Sequence, residues 1–460
     1  MGRRRLLTAL LFLPFLAGLN AAAIPGDTAA VRHALNRLGY GPRPGDVERV
    51  TAMGLTAWID RQLQPAAIDD SAWQPRLPLP AAPQVFTTPQ EARRAARQSI
   101  NGLAQERLLR ATYSERQLEE VLVDFWFNHF NVFAGKGRTA GFLADYERDA
   151  IRPHVLGNFR ELLGATAHHP AMLFYLDNWM SVEPGATIHL AGQRGQARRP
   201  TAGANGAPVA PQPAGRRRGL NENYGRELLE LHTLGVDGGY TQQDVVDVAR
   251  AFTGWTIGAM RPNDALMRAG AADADQFRFT PAMHDRGAKV VLGQTIRAGG
   301  GIEDGERVLD ILAAHPSTAT HIATKLAQRF VSDTPPASLI ARAAARFTAT
   351  RGDLREVVRT IVTSDEFFAA AARDAKVKTP LEFVVSAVRA SGSDRPNTMV
   401  MMRGLQQLGM PLYMCQPPTG YDDTAEAWIG PGALVTRINL AQQLAGTQAT
   451  LVATPEFQRR

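Results

Sequence analysis

Apolar residues recur at helical spacing along most of the chain. Leu55, Trp58, Ile59 and Leu63 show the pattern clearly, because residues three or four apart lie on one face of an α-helix. The same periodicity predicts helices at residues 29–38, 46–63, 91–111, 114–130, 160–175, 241–253, 304–314, 317–331, 336–349, 353–363, 367–372, 380–391, 397–408 and 431–446.

Two short segments alternate in a way that is typical of strands instead. Phe277–Thr280 and Lys289–Leu292 are separated by a loop that contains His284 and Asp285, which predicts a small β-hairpin. We therefore predict a mainly α fold, a multi-helical single large domain with one small β-hairpin.

Residues 185–219 interrupt the helical pattern. They are rich in Gly, Ala, Pro, Arg and Gln, a composition that buries too little apolar surface to offset the entropy of ordering. The helices on both sides have the same character, so we predict a disordered, low-complexity insertion within one domain at 24–460. A shorter interruption is expected at Pro170, which should break the helix at 160–175.

The N-terminus has the pattern of a secretory signal peptide at residues 1–23. A basic Met-Gly-Arg-Arg-Arg start precedes the apolar run from Leu6 to Leu19, and small residues lead to a cleavage point after Ala23. The run is too short for a comfortable membrane span and contains Pro14. We expect an exported protein, periplasmic or secreted, without a membrane span after signal removal. Its single cysteine, Cys415, is expected to be a buried apolar residue.

The charge balance argues against nucleic-acid binding. The formal net charge is +7, but Arg3, Arg4 and Arg5 contribute three of these charges, and several more arginines lie in the insertion. No stripe of Lys and Arg interleaved with aromatic residues is present elsewhere. The sequence therefore predicts no nucleic-acid partner.

The segment 221–235 (Asn-Glu-Asn-Tyr-Gly-Arg-Glu-Leu-Leu-Glu-Leu-His-Thr-Leu-Gly) is the most informative part of the chain. It places ionisable groups beside an apolar run that must be buried, and buried charges are costly unless they are paired or bind a metal. If the helix is regular, Glu227 and Glu230 point about 60° apart and can converge with Asn223 on one polar face. Glu230 and His232 lie about 160° apart, so His232 should point elsewhere, for example as a C-terminal cap.

Each candidate group in this segment has a structural alternative. Glu227 and Glu230 could instead form ion pairs with Arg226, Arg152 or Arg160, which would make the helix an internal anchor. His129, in the run Trp126-Phe-Asn-His-Phe-Asn131, is surrounded by aromatic residues, as packed core histidines usually are.

His284 and Asp285 stand in a loop, where functional side chains concentrate. The pair could supply a metal ligand or an oriented general base, or Asp285 could simply cap a turn at Gly287. Signatures for zinc proteases, nucleophile elbows, phosphate-binding loops and covalent haem are absent from the sequence.

Two hypotheses follow from these residues. The first is a metal-binding or hydrolytic enzyme with a polar cavity in which His284, Asp285 and Glu230 are catalytic. Its metal ligands would be His129, Glu227, Glu230 and His284, a set suited to Zn, Mn, Fe or Ca. The second is a non-catalytic envelope protein in which the same charges are structural pairs.

The same segments resemble a known family, the bacterial domain of unknown function 1800. The similarity lies in Arg37-Leu-Gly-Tyr-Gly41, Phe125-Trp-Phe-Asn-His-Phe130, His169-Pro-Ala-Met-Leu-Phe-Tyr-Leu-Asp-Asn178, the central segment 221–235, Ala251-Phe-Thr-Gly-Trp255 and His284-Asp-Arg-Gly-Ala-Lys-Val-Val-Leu-Gly293. The resemblance implies an exported protein and a partner from a second exported, sulfatase-like family, domain of unknown function 1501. It implies no reaction.

Overall fold

The computed structural model describes residues 24–77, 88–184, 219–258 and 276–460. These residues form a mainly α, multi-helical structure, which confirms the predicted fold class. The predicted signal peptide at 1–23 and the predicted insertion, except Gly219, lie outside the described residues. No helix within the described ranges is both long and apolar enough to cross a lipid bilayer.

The N-terminal half of the described chain consists mainly of helices, of which α4 is the longest. In chain order they are α1 Thr28–Arg37, α2 Asp46–Met53, α3 Leu55–Gln62, α4 Pro89–Tyr113, α5 Gln117–His129, α6 Leu143–Asp145, a π-helical turn π1 Tyr146–Ile151, α7 Phe159–His168, α8 Pro170–Tyr175, α9 Asn223–Glu227, a second π-helical turn π2 Leu228–Thr233, and α10 Gln242–Ala251.

The C-terminal half is also helical. Its helices are α11 Glu303–Ala313, α12 Pro316–Phe330, α13 Ala337–Ala349, α14 Leu354–Val362, α15 Asp365–Phe368, α16 Pro380–Ser391, α17 Thr398–Gln407, α18 Ala425–Trp428, α19 Pro431–Ala445 and α20 Ala449–Val452. Short 3₁₀ turns lie at Pro65–Ala67, Ser71–Arg76, Thr139–Gly141, Arg152–His154, Asn178–Met180, Pro281–Met283, Ala370–Ala372 and Gly446–Gln448.

Local signals in the sequence account for several helix boundaries. Pro170 occupies the first position of α8, so the predicted break between α7 and α8 is confirmed. At the start of α10, the Thr241 side chain accepts a hydrogen bond from the Asp244 amide, and the Asp244 carboxylate accepts one from the Thr241 amide. This capping box satisfies two backbone donors that a helix N-terminus would leave unpaired.

The predicted hairpin is wrong in its pairing. The strand β2 Phe277–Phe279 pairs with β1 Trp255–Ile257, whereas β3 Lys289–Val291 pairs with β4 Gln294–Ile296. The described residues thus contain two small antiparallel sheets instead of one. In β3–β4 the tight turn is made by Leu292 and Gly293, both with positive φ, so the usual Asn-Gly signal is missing from the sequence.

The core is built around two helices that are buried on almost every side. In α5 every residue from Gln117 to Phe127 except Glu119 is buried, and in α16 the same holds from Pro380 to Arg389. One continuous cluster of buried apolar side chains extends from Ala30 to Val452. A helix without a solvent-facing stripe must bury its polar residues as well, which explains the charges inside this core.

These internal charges are paired between helices. Arg107 of α4 contacts Asp124 of α5 at 2.9 Å and Glu147 of π1 at 3.1 Å. Arg329 of α12 contacts Glu382 of α16 at 2.8 Å. All five side chains are at least 88% buried, so each ion pair compensates for the loss of hydration and links helices that are distant in sequence.

Candidate functional site

His284 and Asp285, the predicted catalytic pair, are buried inside a closed polar network. The His284 ring places Nδ1 2.8 Å from the carbonyl oxygen of Thr253 and Nε2 3.2 Å from Oδ2 of Asp304. The ammonium of Lys289, also fully buried, contacts the same Asp304 oxygen at 2.7 Å. Both ring nitrogens therefore already have acceptors within hydrogen-bonding distance.

The Asp285 carboxylate also has hydrogen-bond donors within the protein. Its carboxylate accepts hydrogen bonds from Nε and Nη2 of Arg250 at 2.7 and 3.1 Å, and from the Gly287 amide at 2.8 Å. Burial alone would raise the pKa of Asp285, but the bonds from Arg250 outweigh it and hold that pKa below its usual range. The bond to Gly287 is the turn cap that the sequence suggested as an alternative. His284 and Asp285 thus hold the loop before β3 in place.

The central segment is not a regular helix. It begins as α9 and continues as π2, where the Leu234 amide donates to the Leu229 carbonyl and the Thr233 hydroxyl donates to the Leu228 carbonyl at 2.6 Å. The wider turn means that the regular-helix angle does not apply to His232, yet His232 and Glu230 do have different surroundings, since His232 packs against His129 and Glu230 contacts Tyr240. Single π-turns inside α-helices are frequently found at functional sites.

His232 is buried and packs in a cluster with two other histidines. The ring centroid of His129 lies 6.3 Å from that of His232 and 6.1 Å from that of His321. Nε2 of His129 donates to the His232 carbonyl at 3.1 Å, and Nε2 of His321 lies 3.3 Å from the Leu231 carbonyl. Two imidazoles therefore satisfy consecutive carbonyl groups of π2, and His129 is the packed core residue that its aromatic neighbours indicated.

This histidine cluster is kept uncharged by its surroundings. Burial lowers the pKa of His232 to about 3 and that of His321 to about 4, and the nearby ammonium of Lys325 lowers both further. Burial also lowers the pKa of Lys325 itself. Nδ1 of His129 and Nε2 of His232 are buried without a hydrogen-bond partner, so the cluster holds polar atoms that nothing in the described structure satisfies.

Glu227 and Glu230, on the adjoining part of the segment, form a pair of like charges. Burial raises the pKa of the Glu227 carboxyl, and the negative charge of Glu230 raises it further. Glu230 accepts a hydrogen bond from the Tyr240 hydroxyl at 3.1 Å. Neither carboxylate has an Arg or Lys within ion-pairing distance among the described residues, and Arg226 pairs with Glu222 instead.

The ion pairs offered as the structural alternative for this helix are therefore wrong. Arg152 contacts Glu120 and Glu147, and Arg160 contacts Glu306 and Asp310. Asn223 is exposed, and its amide lies 3.4 Å from the Leu176 carbonyl. The two half-buried glutamates remain unpaired beside it.

The C-terminal loop 411–424 approaches the same segment. Tyr175 donates to the Gln416 carbonyl at 2.7 Å, and its pKa is raised by burial, by Cys415 and by the charge of Glu227. Cys415 is buried, as predicted, and burial raises its pKa to about 11, with a further contribution from Asp422. A thiol with this pKa is a poor nucleophile at neutral pH, so Cys415 is treated as a buried packing residue.

The structure separates the predicted site residues into three groups. Glu227 and Glu230 lie together, His129 belongs to the histidine cluster, and His284 with Asp285 belongs to the Arg250–Asp304 network. Among all described residues, no group of three or more His, Cys, Asp or Glu side chains is placed to hold a metal ion. The four predicted ligands do not form one site.

Sequence reasoning missed the partners of the candidate residues. His321 and Lys325 recur every four residues on α12, a spacing visible in the sequence, but nothing local links that helix to π2. Tyr240 follows the segment closely in sequence and could have been suspected as the hydrogen-bond donor to Glu230.

Comparison with known proteins identifies the family of the chain. The family described as "Protein of unknown function (DUF1800)" matches residues 33–459, nearly the whole sequence, so the chain belongs to this family. No curated protein and no solved structure matches it.

Proposed function

We propose that this DUF1800 family member is an exported hydrolase in which Glu227 transfers the proton and Glu230 is its charged neighbour. One observation carries the proposal: the two carboxylates lie together, half-buried, with no ion-pairing cation among the described residues. Deeply buried carboxylates elsewhere, such as Asp124, Glu147 and Glu382, contact arginines. An unpaired like-charge couple is unfavourable for folding, and such arrangements are found where a pKa is tuned for chemistry.

The chemistry expected of such a pair is general acid–base catalysis. Because burial and Glu230 raise the pKa of Glu227, its carboxyl keeps a proton at higher pH than an ordinary glutamate. Glu227 would give this proton to the leaving oxygen as the scissile bond breaks. Glu230, oriented by Tyr240, would take a proton from the attacking water, so that one water is consumed for each bond cleaved.

The histidine cluster supports the proposal by fixing the backbone that carries the pair. His129 and His321 bond to the carbonyl groups of His232 and Leu231, directly after Glu230. Rigid placement of catalytic groups accounts for much of their effect, since small displacements reduce rates strongly. The cluster would therefore act as positioning residues, without touching the substrate.

Export remains part of the proposal. It rests on the basic, apolar and small-residue regions of residues 1–23. We expect protein recovered from the envelope or the medium to begin at Ile24, as read by mass spectrometry of its N-terminal peptide. Protein that keeps residues 1–23 in the cytoplasm would contradict export.

Activity is tested with a panel of chromogenic glycosides, carboxylic esters, phosphate esters and sulfate esters. Glu227→Gln should lower kcat on any cleaved substrate by roughly 10²–10⁴-fold, the usual contribution of a general acid or base, with the fold retained. Glu222→Gln is the matched control, because Glu222 lies in the same segment but pairs with Arg226 and accepts a hydrogen bond from Gln242. This control should keep full activity.

A titration of Glu227 tests the proposed site without any knowledge of the substrate. In ¹³C NMR of glutamate-labelled protein, the Glu227 carboxyl should titrate above its usual range and return towards it in Glu230→Gln. A normal titration, or a Glu227→Gln variant with undiminished activity, would remove Glu227 from the mechanism. An entirely inactive wild type would favour the alternative, a non-catalytic envelope protein that assists an exported sulfatase-like partner.

A further inference from the structure

Two C-terminal helices expose apolar side chains to solvent. On α19, Leu434, Val435 and Ile438 are 49%, 59% and 38% exposed, and Arg437, the one charged residue of the helix, is buried. On α17, Met399 is 53% exposed. Contiguous exposed apolar surface usually marks a site of interaction with a protein or a membrane.

Exposed arginines without carboxylate partners lie on the neighbouring helix. Arg93, Arg94 and Arg97 line a groove of about 950 Å³ along the first turns of α4, together with uncharged polar side chains. None of the three forms an ion pair or hydrogen bond with a residue that the structure describes, and this is also true of the exposed Arg395 and Arg403 near or on α17. Five positive charges on or near α4 and α17 thus lack a partner among the described residues.

The arginines and the apolar side chains belong to helices that pack side by side. Helix α4 packs against α17, and α17 packs against α19. Nε2 of Gln105 on α4 lies 3.8 Å from the sulfur of Met399, and α17 approaches α19 so closely that a Cβ at Gly404 would lie 3.0 Å from Leu440. Both kinds of side chain are therefore carried by one three-helix layer.

Acidic residues are few in and beside this layer: Glu91 caps the start of α4, Glu106 pairs with Arg110 on the same helix, and Asp394, before α17, contacts Arg76 at 4.0 Å. Residues 92–105, 395–421 and 427–455 contain no Asp or Glu. An apolar surface beside arginines that have no ion-pair partner among the described residues is complementary to anionic lipid headgroups over an acyl region. A soluble acidic partner would satisfy the arginines but would leave the apolar side chains in water.

We infer that this layer binds the surface of an anionic phospholipid bilayer. The basic–apolar face consists of Arg93, Arg94, Arg97, Arg395, Arg403, Met399, Leu434, Val435 and Ile438. The arginines contact the headgroups, and the apolar side chains of α17 and α19 enter the boundary with the acyl chains. The protein lies on the membrane without crossing it.

The test is co-sedimentation of the full chain with vesicles of phosphatidylcholine alone and of phosphatidylcholine with 30% phosphatidylglycerol, where the percentage is roughly that of an anionic bacterial leaflet. Binding should increase with the anionic lipid and fall with salt. Arg93→Gln/Arg97→Gln should weaken binding to the anionic vesicles about 30-fold, from the usual contribution of each arginine near a charged surface. Leu434→Ser/Ile438→Ser should weaken it about tenfold with an unchanged salt dependence.

Arg342→Gln/Arg346→Gln is the matched control. These arginines have the same spacing on α13, are exposed, and pair with Glu366 and Glu356. The control removes the same net charge, so it should bind as the wild type does if the effect is local. Residues 1–23 are common to all variants and cancel from the comparison.

Three outcomes would overturn the inference. Binding that does not increase with phosphatidylglycerol would remove the role of the arginines. An equal loss of vesicle binding in the α13 control would show that the weaker binding comes from the change in net charge alone. Retention on a soluble polyanion such as polyglutamate without vesicle binding would assign the arginines to an anionic polymer instead.

Discussion

The loop around His284 and the segment around Glu227 bury ionisable groups in opposite ways. In the loop, Asp304 lies between Lys289 and His284, and Asp285 is held by Arg250, so each charge meets an opposite charge or a hydrogen bond. In the segment, Glu227 meets Glu230, and the neighbouring imidazoles are uncharged. A buried carboxylate or histidine can therefore be assigned a structural or a functional role only when its contact partners are known. In these two regions the partners differ.

The largest effect is expected in the closed network. Asp304→Ala leaves the buried ammonium of Lys289 without its carboxylate, and removing one member of a buried ion pair typically costs about 3–5 kcal/mol in the free energy of unfolding. Asp310→Ala is the control on the same helix, since Asp310 is half-exposed and its pair with Arg160 should contribute less than about 1 kcal/mol. Urea denaturation measures both, and equal losses would show that the network is not closed.

The second-largest effect is expected when acid protonates a histidine of the cluster. The pKa of His321 is lowered from 6.5 to about 4, so between these values the unfolded chain binds a proton that the folded chain does not. The free energy of unfolding should thus fall as pH decreases from 6.5 towards 4, by up to about 1.4 kcal/mol per pH unit for each such histidine. His321→Gln should reduce this slope, measured by urea denaturation at several pH values, and leave it unchanged above pH 7.5. An unaltered slope below pH 6.5 would contradict the lowered pKa.

The smallest effect is expected at Glu227. Its raised pKa means that the ionised form is less favourable in the folded protein, so this glutamate contributes stability at low pH that is lost as pH rises through its folded pKa. Glu227→Gln removes the repulsion with Glu230 and should leave thermal stability at pH 7 unchanged or slightly higher, within about 1 kcal/mol. If this variant unfolds, Glu227 has a structural role, like the charges of the closed network.

Local features of the fold were predictable from the sequence. The break at Pro170 and the capping box at Thr241 depend on residues within one turn of each other, so the pattern carries the whole signal. The strand pairing was not predictable in this way. The partner strand of Phe277–Phe279 is Trp255–Ile257, which is separated from it in sequence by residues 258–276. The β3–β4 turn has Leu292 at a position that favours Asn or Gly, so the sequence lacks the usual turn signal there.

The candidate site was predictable only in part. The helical angle placed Glu227 and Glu230 on one face, and the charge of Glu230 does act on the Glu227 carboxyl, although Glu227 ends α9 and Glu230 lies within π2. The premise of a regular helix does not hold at His232, because this residue lies in the π2 turn, which no residue type in Leu228–Thr233 indicates. His284 and Asp285 were predicted to be a metal ligand or general base, or a turn cap at Gly287; the cap is present, but the partners Arg250, Lys289 and Asp304 become neighbours only through the tertiary fold.

The π2 turn also makes the number of residues in the segment matter. A π-turn accommodates one more residue than the α-turn it replaces, so deletion of a single residue between Leu228 and Thr233 would let the segment close as a regular helix. Deletion of Leu231, for example, would keep Glu230 and His232 in the chain but would rotate the two carboxylates by about 100° relative to the His232 imidazole. The number of residues in π2 therefore sets the direction of the glutamate side chains relative to the histidine side chains.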